Sequence, residues 1–117
     1  MFLKELLAVT GAKDMTPETD KETEVSCGYT CDLLSWVMAH GQPGMAWVTV
    51  QTHINVIAVA ALMDMAAVIL PEGIAMEEAS LQKAREEGVT VLQSELTAYE
   101  LCARMASHGL PGQKREG

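Results

Sequence analysis

The stretch from Met45 to Gly73, MAWVTVQTHINVIAVAALMDMAAVILPEG, constrains the fold more than any other part of the chain. A β-branched apolar run is followed by a short polar turn, a helix apolar on nearly every face, and a second wholly apolar run. Strands apolar on both sides belong in parallel sheets covered by helices. Two such strands joined through a helix form one strand–helix–strand unit. The segment Ile54 to Leu70 is the nearest approach to a membrane span. Asp64 interrupts it, and it is shorter than the roughly 20 residues a bilayer needs. A soluble reading is therefore expected.

The flanking sequence repeats the pattern. Residues 2–9 carry Phe2, Leu3, Leu6 and Leu7 at helical spacing, with Gly11 as a stop. The polar stretch 12–22, AKDMTPETDKE, is expected as a loop. A strand is predicted over Glu22–Gly28, then a helix over Leu33–His40, and the turn Gly41-Gln42-Pro43-Gly44. Further strands are predicted over Met45–Val50, Ala67–Leu70 and Val89–Leu92, with helices over 54–66 and 76–87 between them. Thr97 with Glu100 makes a capping box for a last helix. The expectation is an α/β fold: a layered, mainly parallel four-stranded sheet with helices on its faces, preceded by a short N-terminal helix. One domain should run from 1 to 110, with 111–117 as a flexible tail, and from Gly109 on the chain is expected to have nothing to bury.

Charge narrows the partners. Sixteen acidic and eight basic side chains leave the chain at −8. Such a surface repels nucleic-acid backbones and anionic membranes. The N-terminus MFLKELLAV has no secretory leader pattern, so the cytoplasm is expected. Cys27, Cys31 and Cys102 are odd in number. The C-x3-C spacing of the first two lacks the second pair that a metal site needs. Neither a metal nor a cofactor is expected.

The helix over 54–66, INVIAVAALMDMA, has only Asn55 and Asp64 as polar residues. A surface helix normally keeps one solvated stripe. Leaving a large apolar side chain in water rather than burying it costs about 1.5–3 kcal/mol. A second copy of the chain is the expected cover, giving a homodimer through this region. Cover by the N-terminal helix of the same chain is the competing explanation.

Ligands of open parallel sheets gather at the carboxyl ends of the strands. Four loops meet that edge: 28–32, 51–55, 71–73 and 93–97. Candidate ligand contacts are Thr30, Asp32, Gln51, Thr52, His53, Asn55 and Ser94. The 51–55 turn is the richest, since it precedes a helix whose free N–H groups attract anions. The plainer reading is that Thr52 caps the helix. A thiol enzyme using Cys31 and His53, oriented by Asp32, can be written down, but nothing in the spacing of these residues supports it. No phosphate loop of either glycine-rich type occurs. No catalytic residues are assigned.

These residues also carry a resemblance. Val48 to Ser94 resembles the DRTGG domain family, which accompanies CBS domains in some bacterial pyrophosphatases, occurs in long phosphotransacetylases, and is related to the N-terminal domain of HPr kinase/phosphorylase. In the family a strand runs into a turn, an apolar helix, and a strand leading to glycine. Here these are Gln51–Asn55, Val56–Met65, and Ala67–Leu70 leading to Gly73; Glu87–Leu92 matches the family's last strand. The Asp and Arg of the naming motif are absent, so an anion contact by that arginine does not carry over. The resemblance implies a stand-alone, non-catalytic, dimer-forming regulatory domain. A small anionic or nucleotide-like ligand, or docking on a metabolic or redox enzyme, would be its business. The alternatives are the small thiol enzyme and a component of a transcriptional regulator; charge opposes the latter.

Overall fold

The chain alternates helix and strand in the order α1 (Leu3–Thr10), β1 (Lys13–Asp14), β2 (Cys27–Thr30), α2 (Leu34–His40), β3 (Met45–Val48), α3 (Ile54–Leu62), β4 (Ala67–Leu70), α4 (Glu78–Glu87), β5 (Thr90–Gln93) and α5 (Ala98–Ser107). The computed structural model describes residues 1–113 and Arg115. Of the expected tail 111–117, residues 114, 116 and 117 lie outside the described residues.

The sheet runs β1-β5-β4-β3-β2. Strands β2 to β5 are parallel, with Tyr29 beside Trp47, Trp47 beside Val68, and Val68 beside Val91. Because these strands are laid down in chain order, each right-handed crossover places its helix on the same face. Helices α2, α3 and α4 accordingly share one layer, packing Val37, Val56, Ile57, Ala60, Leu81 and Ala84 against Trp47, Val68 and Val91. The other face would be bare without α1 and α5. They bring Leu3, Leu6, Leu101 and Met105 onto Ala46, Val48, Ile69 and Leu92. Alternate residues of each central strand thus feed opposite cores. This is why β3 and β4 are buried along their whole length. Trp47 is fully buried, and its indole N–H donates to the Cys31 carbonyl at 2.8 Å.

The strand expected over Glu22–Gly28 lies instead at Cys27–Thr30, and three further expectations need correction. The sheet has a fifth strand, because β1 forms inside the polar stretch 12–22 and pairs antiparallel with β5. Its anchor is polar: the Lys21 ammonium binds the Asp14 carboxylate at 3.0 Å and the carbonyls of Thr16 and Thr19 at 2.9 and 2.8 Å. Second, α3 stops at Leu62 rather than Ala66. Asp64 adopts left-handed backbone with φ 55°, and Met65 N–H reaches back to Ala60 C=O at 3.0 Å. This is a Schellman ending with aspartate in the usual glycine place. Third, Leu110 is buried against the α1/α5 core, and Pro111 C=O accepts from Gly28 N–H at 2.9 Å. Leu110 and Pro111 therefore pack on the edge strand β2.

Candidate functional site

Uniform winding also decides what the carboxyl edge of the sheet can hold. A binding crevice opens where neighbouring connections leave to opposite faces. Here that happens only between β4, which leads to α4, and β5, which leads to α5. The gap is closed by backbone hydrogen bonds. Glu72 N–H donates to Leu96 C=O and Gly73 N–H to Ser94 C=O, both at 2.8 Å, while Ser94 N–H donates to Leu70 C=O at 2.9 Å. Glu72 and Gly73 both have positive φ, 57° and 67°, the signature of a type I′ turn. Glycine meets that requirement without cost, whereas Glu72 is held there by its amide bond.

Each predicted site residue now has a place. Ser94 is buried, and its hydroxyl is spent on Thr10 C=O at 3.3 Å and Leu96 N–H at 3.2 Å. Asp32 Oδ1 accepts from Thr49 Oγ1 at 2.8 Å and Val50 N–H at 3.0 Å. Gln51 Nε2 donates to Asp32 C=O at 3.0 Å. Asp32 and Gln51 thus tie the loop after β2 to the loop after β3. Thr30 is exposed on the far edge, where its hydroxyl sits 3.2 Å from Cys102 Sγ. Asn55 lies in the first turn of α3, on the outer groove described below.

The helix cap is His53, not Thr52. His53 Nδ1 accepts from Asn55 N–H at 3.1 Å, which requires Nδ1 to be unprotonated and puts the ring proton on Nε2. Thr52 is half-buried, and its carbonyl accepts from the buried Ser80 hydroxyl at 3.3 Å. Gln51, Thr52 and His53 line one side of an open cleft of about 330 Å³, and the start of α4 lines the other with Glu77 and Ser80. The amino ends of α3 and α4 converge there. Their partial positive charge favours an anion, and the Glu77 carboxylate opposes it.

The thiol arrangement is not assembled. Cys31 and His53 line different clefts, and Cys31 packs against the α2–α4 core with Sγ 3.7 Å from Leu33 C=O. No group of three or more metal-ligating side chains occurs among the described residues. No described helix is long and apolar enough to cross a membrane.

The face read as greasy in the sequence is exposed. Helix α1 lies on the opposite side of the sheet, with α5, so it does not cover α3. Leu62 is 70% exposed, Met38 50% and Ile54 39%. Leu34 and Met38 of α2 face Asn55, Ala58 and Leu62 of α3 across an apolar groove of about 330 Å³. The contribution of α2 was missed in the sequence, although the run LLSWVMAH, without a charge, was the available signal.

No family model matches the chain, and no curated protein matches it in sequence. Among solved structures, it is similar to the CBS and DRTGG domains of the regulatory region of Clostridium perfringens pyrophosphatase, complexed with the activator diadenosine tetraphosphate. The TM-score is 0.74 at 12% identity, over 99% of this chain and 51% of that one. The chain therefore spans about half the length of the solved chain it matches. At that identity the likeness is one of fold, and the architecture is DRTGG-like.

Proposed function

We propose that this chain is a non-catalytic regulatory or accessory domain that works as a homodimer, closed through the α2–α3 face. The carrying observation is that face itself. Residues 33–40 and 54–63 contain no Asp, Glu, Lys or Arg, in a chain of net charge −8. Two copies repel one another elsewhere, and this face lets them meet without opposing carboxylates. Leu62, Met38 and Ala58 then gain the cover that none of the described residues supplies. The similarity to a pyrophosphatase regulatory region supports a regulatory rather than catalytic reading. The activator bound there is a nucleotide, which supports ligand sensing as the second half of the role. The cleft beside His53 is the proposed seat of a small anion. A cytoplasmic location, where the three free thiols stay reduced, and docking on a metabolic or redox enzyme belong to the same reading.

Sedimentation equilibrium tests the dimer. Wild type should sediment as a dimer and Leu62→Glu as a folded monomer, because a buried unpaired carboxylate is costly. A wild-type chain that stays monomeric as its concentration is raised ends the proposal.

A further inference from the structure

Helix α2 lines a second cleft with its other flank. Leu34 and Met38 face α3, while Trp36 and His40 project from the other flank, toward the outer edge of β2. There they line a separate open cleft of about 590 Å³ together with Tyr29, Thr30, Cys31 and Arg115. That volume is in the range of small-molecule sites. Trp36 is 54% exposed, which is unusual for so large an aromatic with no core role. Its ring stacks on His40 at 4.2 Å between centroids and 25° between planes. His40 Nδ1 lies 3.0 Å from Trp36 C=O, and a carbonyl only accepts, so Nδ1 carries a proton and Nε2 is left for other partners. Gln113 Nε2 donates to His40 C=O at 2.6 Å, which ties Gln113 to this wall.

The charge of the cleft is the reverse of the molecule's. None of its lining residues is acidic, and Arg115 makes no ion pair or hydrogen bond among the described residues. A stacked aromatic platform selects a flat ring, and a guanidinium beside it selects an anion. The cleft beside His53 offers no such platform, since its only ring is the capping imidazole.

We propose that the Trp36–His40–Arg115 cleft binds a planar heteroaromatic ring bearing an anionic group, a ligand of the mononucleotide class. The base stacks on Trp36, and Arg115 holds the phosphate. This goes beyond the dimer reading and does not depend on it.

Adenosine 5′-monophosphate is the probe. Trp47 is buried, so ring stacking on Trp36 should appear as saturable quenching of indole emission. Adenosine should bind about tenfold more weakly, and Arg115→Gln should weaken the monophosphate by about the same factor, the weight of one charge-assisted contact. Ligand-observed saturation-transfer NMR should show binding lost in Trp36→Ala and kept in Trp36→Phe, with circular dichroism confirming that both fold. His53→Ala should bind as wild type does. Absence of saturable quenching with the monophosphate overturns the proposal. So does undiminished binding by Trp36→Ala, or loss of binding in His53→Ala instead. The dimer reading, measured by sedimentation, stands or falls separately.

Discussion

Asp32 and Thr49 are joined by a 2.8 Å hydrogen bond from hydroxyl to carboxylate, across the carboxyl ends of β2 and β3. The same oxygen takes Val50 N–H at 3.0 Å. A side chain that looks free for ligand work in the sequence is therefore a strut. It fixes where the loop after β3 begins, and through it the position of Gln51 and the cleft beside His53.

Replacing Asp32 with alanine should cost about 1–2 kcal/mol, the lower part of the range for bonds to a charged acceptor, because the residue is exposed. Thr49→Val should cost less, and the pair together should fall short of the sum by at least about 0.5 kcal/mol. Urea melts of the four proteins measure this directly. Simple additivity would mean that the two residues do not act as one strut.

His53 supplies the second prediction. Its Nδ1 accepts the Asn55 N–H at the amino end of α3. His53→Ala should lower stability by about 0.5–2 kcal/mol, and His53→Asn should recover most of the loss, since asparagine caps well. Amide exchange at Asn55 should rise in the alanine variant alone. Equal exchange in all three proteins would show that the cap contributes nothing.

The parts legible in the sequence were those in which a local rule and the tertiary structure agree. The wholly apolar run Ala67–Leu70 is β4 as read, Gly88 ends α4, and Thr97 with Glu100 closes a reciprocal cap on α5. The fifth strand was hidden because β1 has two residues, no hydrophobic period, a polar anchor in Lys21, and a pairing partner, β5, far along the sequence. The end of α3 was misplaced because aspartate is a weak stop signal where glycine is a strong one. His53 was overlooked as a cap for a similar reason: threonine stood next to it and is the commoner residue there. The candidate site was the least legible part. Whether Asp32, Gln51 and Ser94 face a ligand or brace a loop depends on partners 17, 19 and 84 residues away in the sequence. No periodicity carries that information. The charge-free α3 was visible at once, but its opening toward Met38 required knowing that α2 lies beside it.

Lys21 holds the stretch 12–22 in place from within. Its side chain is 17% exposed and that of its partner Asp14 24%, so the pair is only weakly screened. Lys21→Met should cost about 2–3 kcal/mol, because it leaves a carboxylate and two carbonyls short of a donor. The damage should be local first. Met15 N–H, bonded to Val91 C=O at 3.0 Å, should exchange faster while the β3–β4 amides stay protected. Uniform loss of protection across the sheet would contradict a local anchor.

Tyr29 gives the chain a signature at high pH. Burial, and then the neighbouring Cys31 thiol, hold its phenol above the ordinary value of 10.0. A raised value means that the folded protein keeps this proton more tightly than the unfolded chain does. The resulting stabilisation is complete below the unfolded value and is lost as pH climbs through the folded one. As pH rises above about 10, wild type should therefore lose stability more steeply than Tyr29→Phe, which has no proton to release. Cys31→Ala should shrink the difference without abolishing it, because burial is the larger cause. Urea melts across that rise would decide the matter, and parallel curves for wild type and Tyr29→Phe would show that the phenol is not held in its neutral form by the fold.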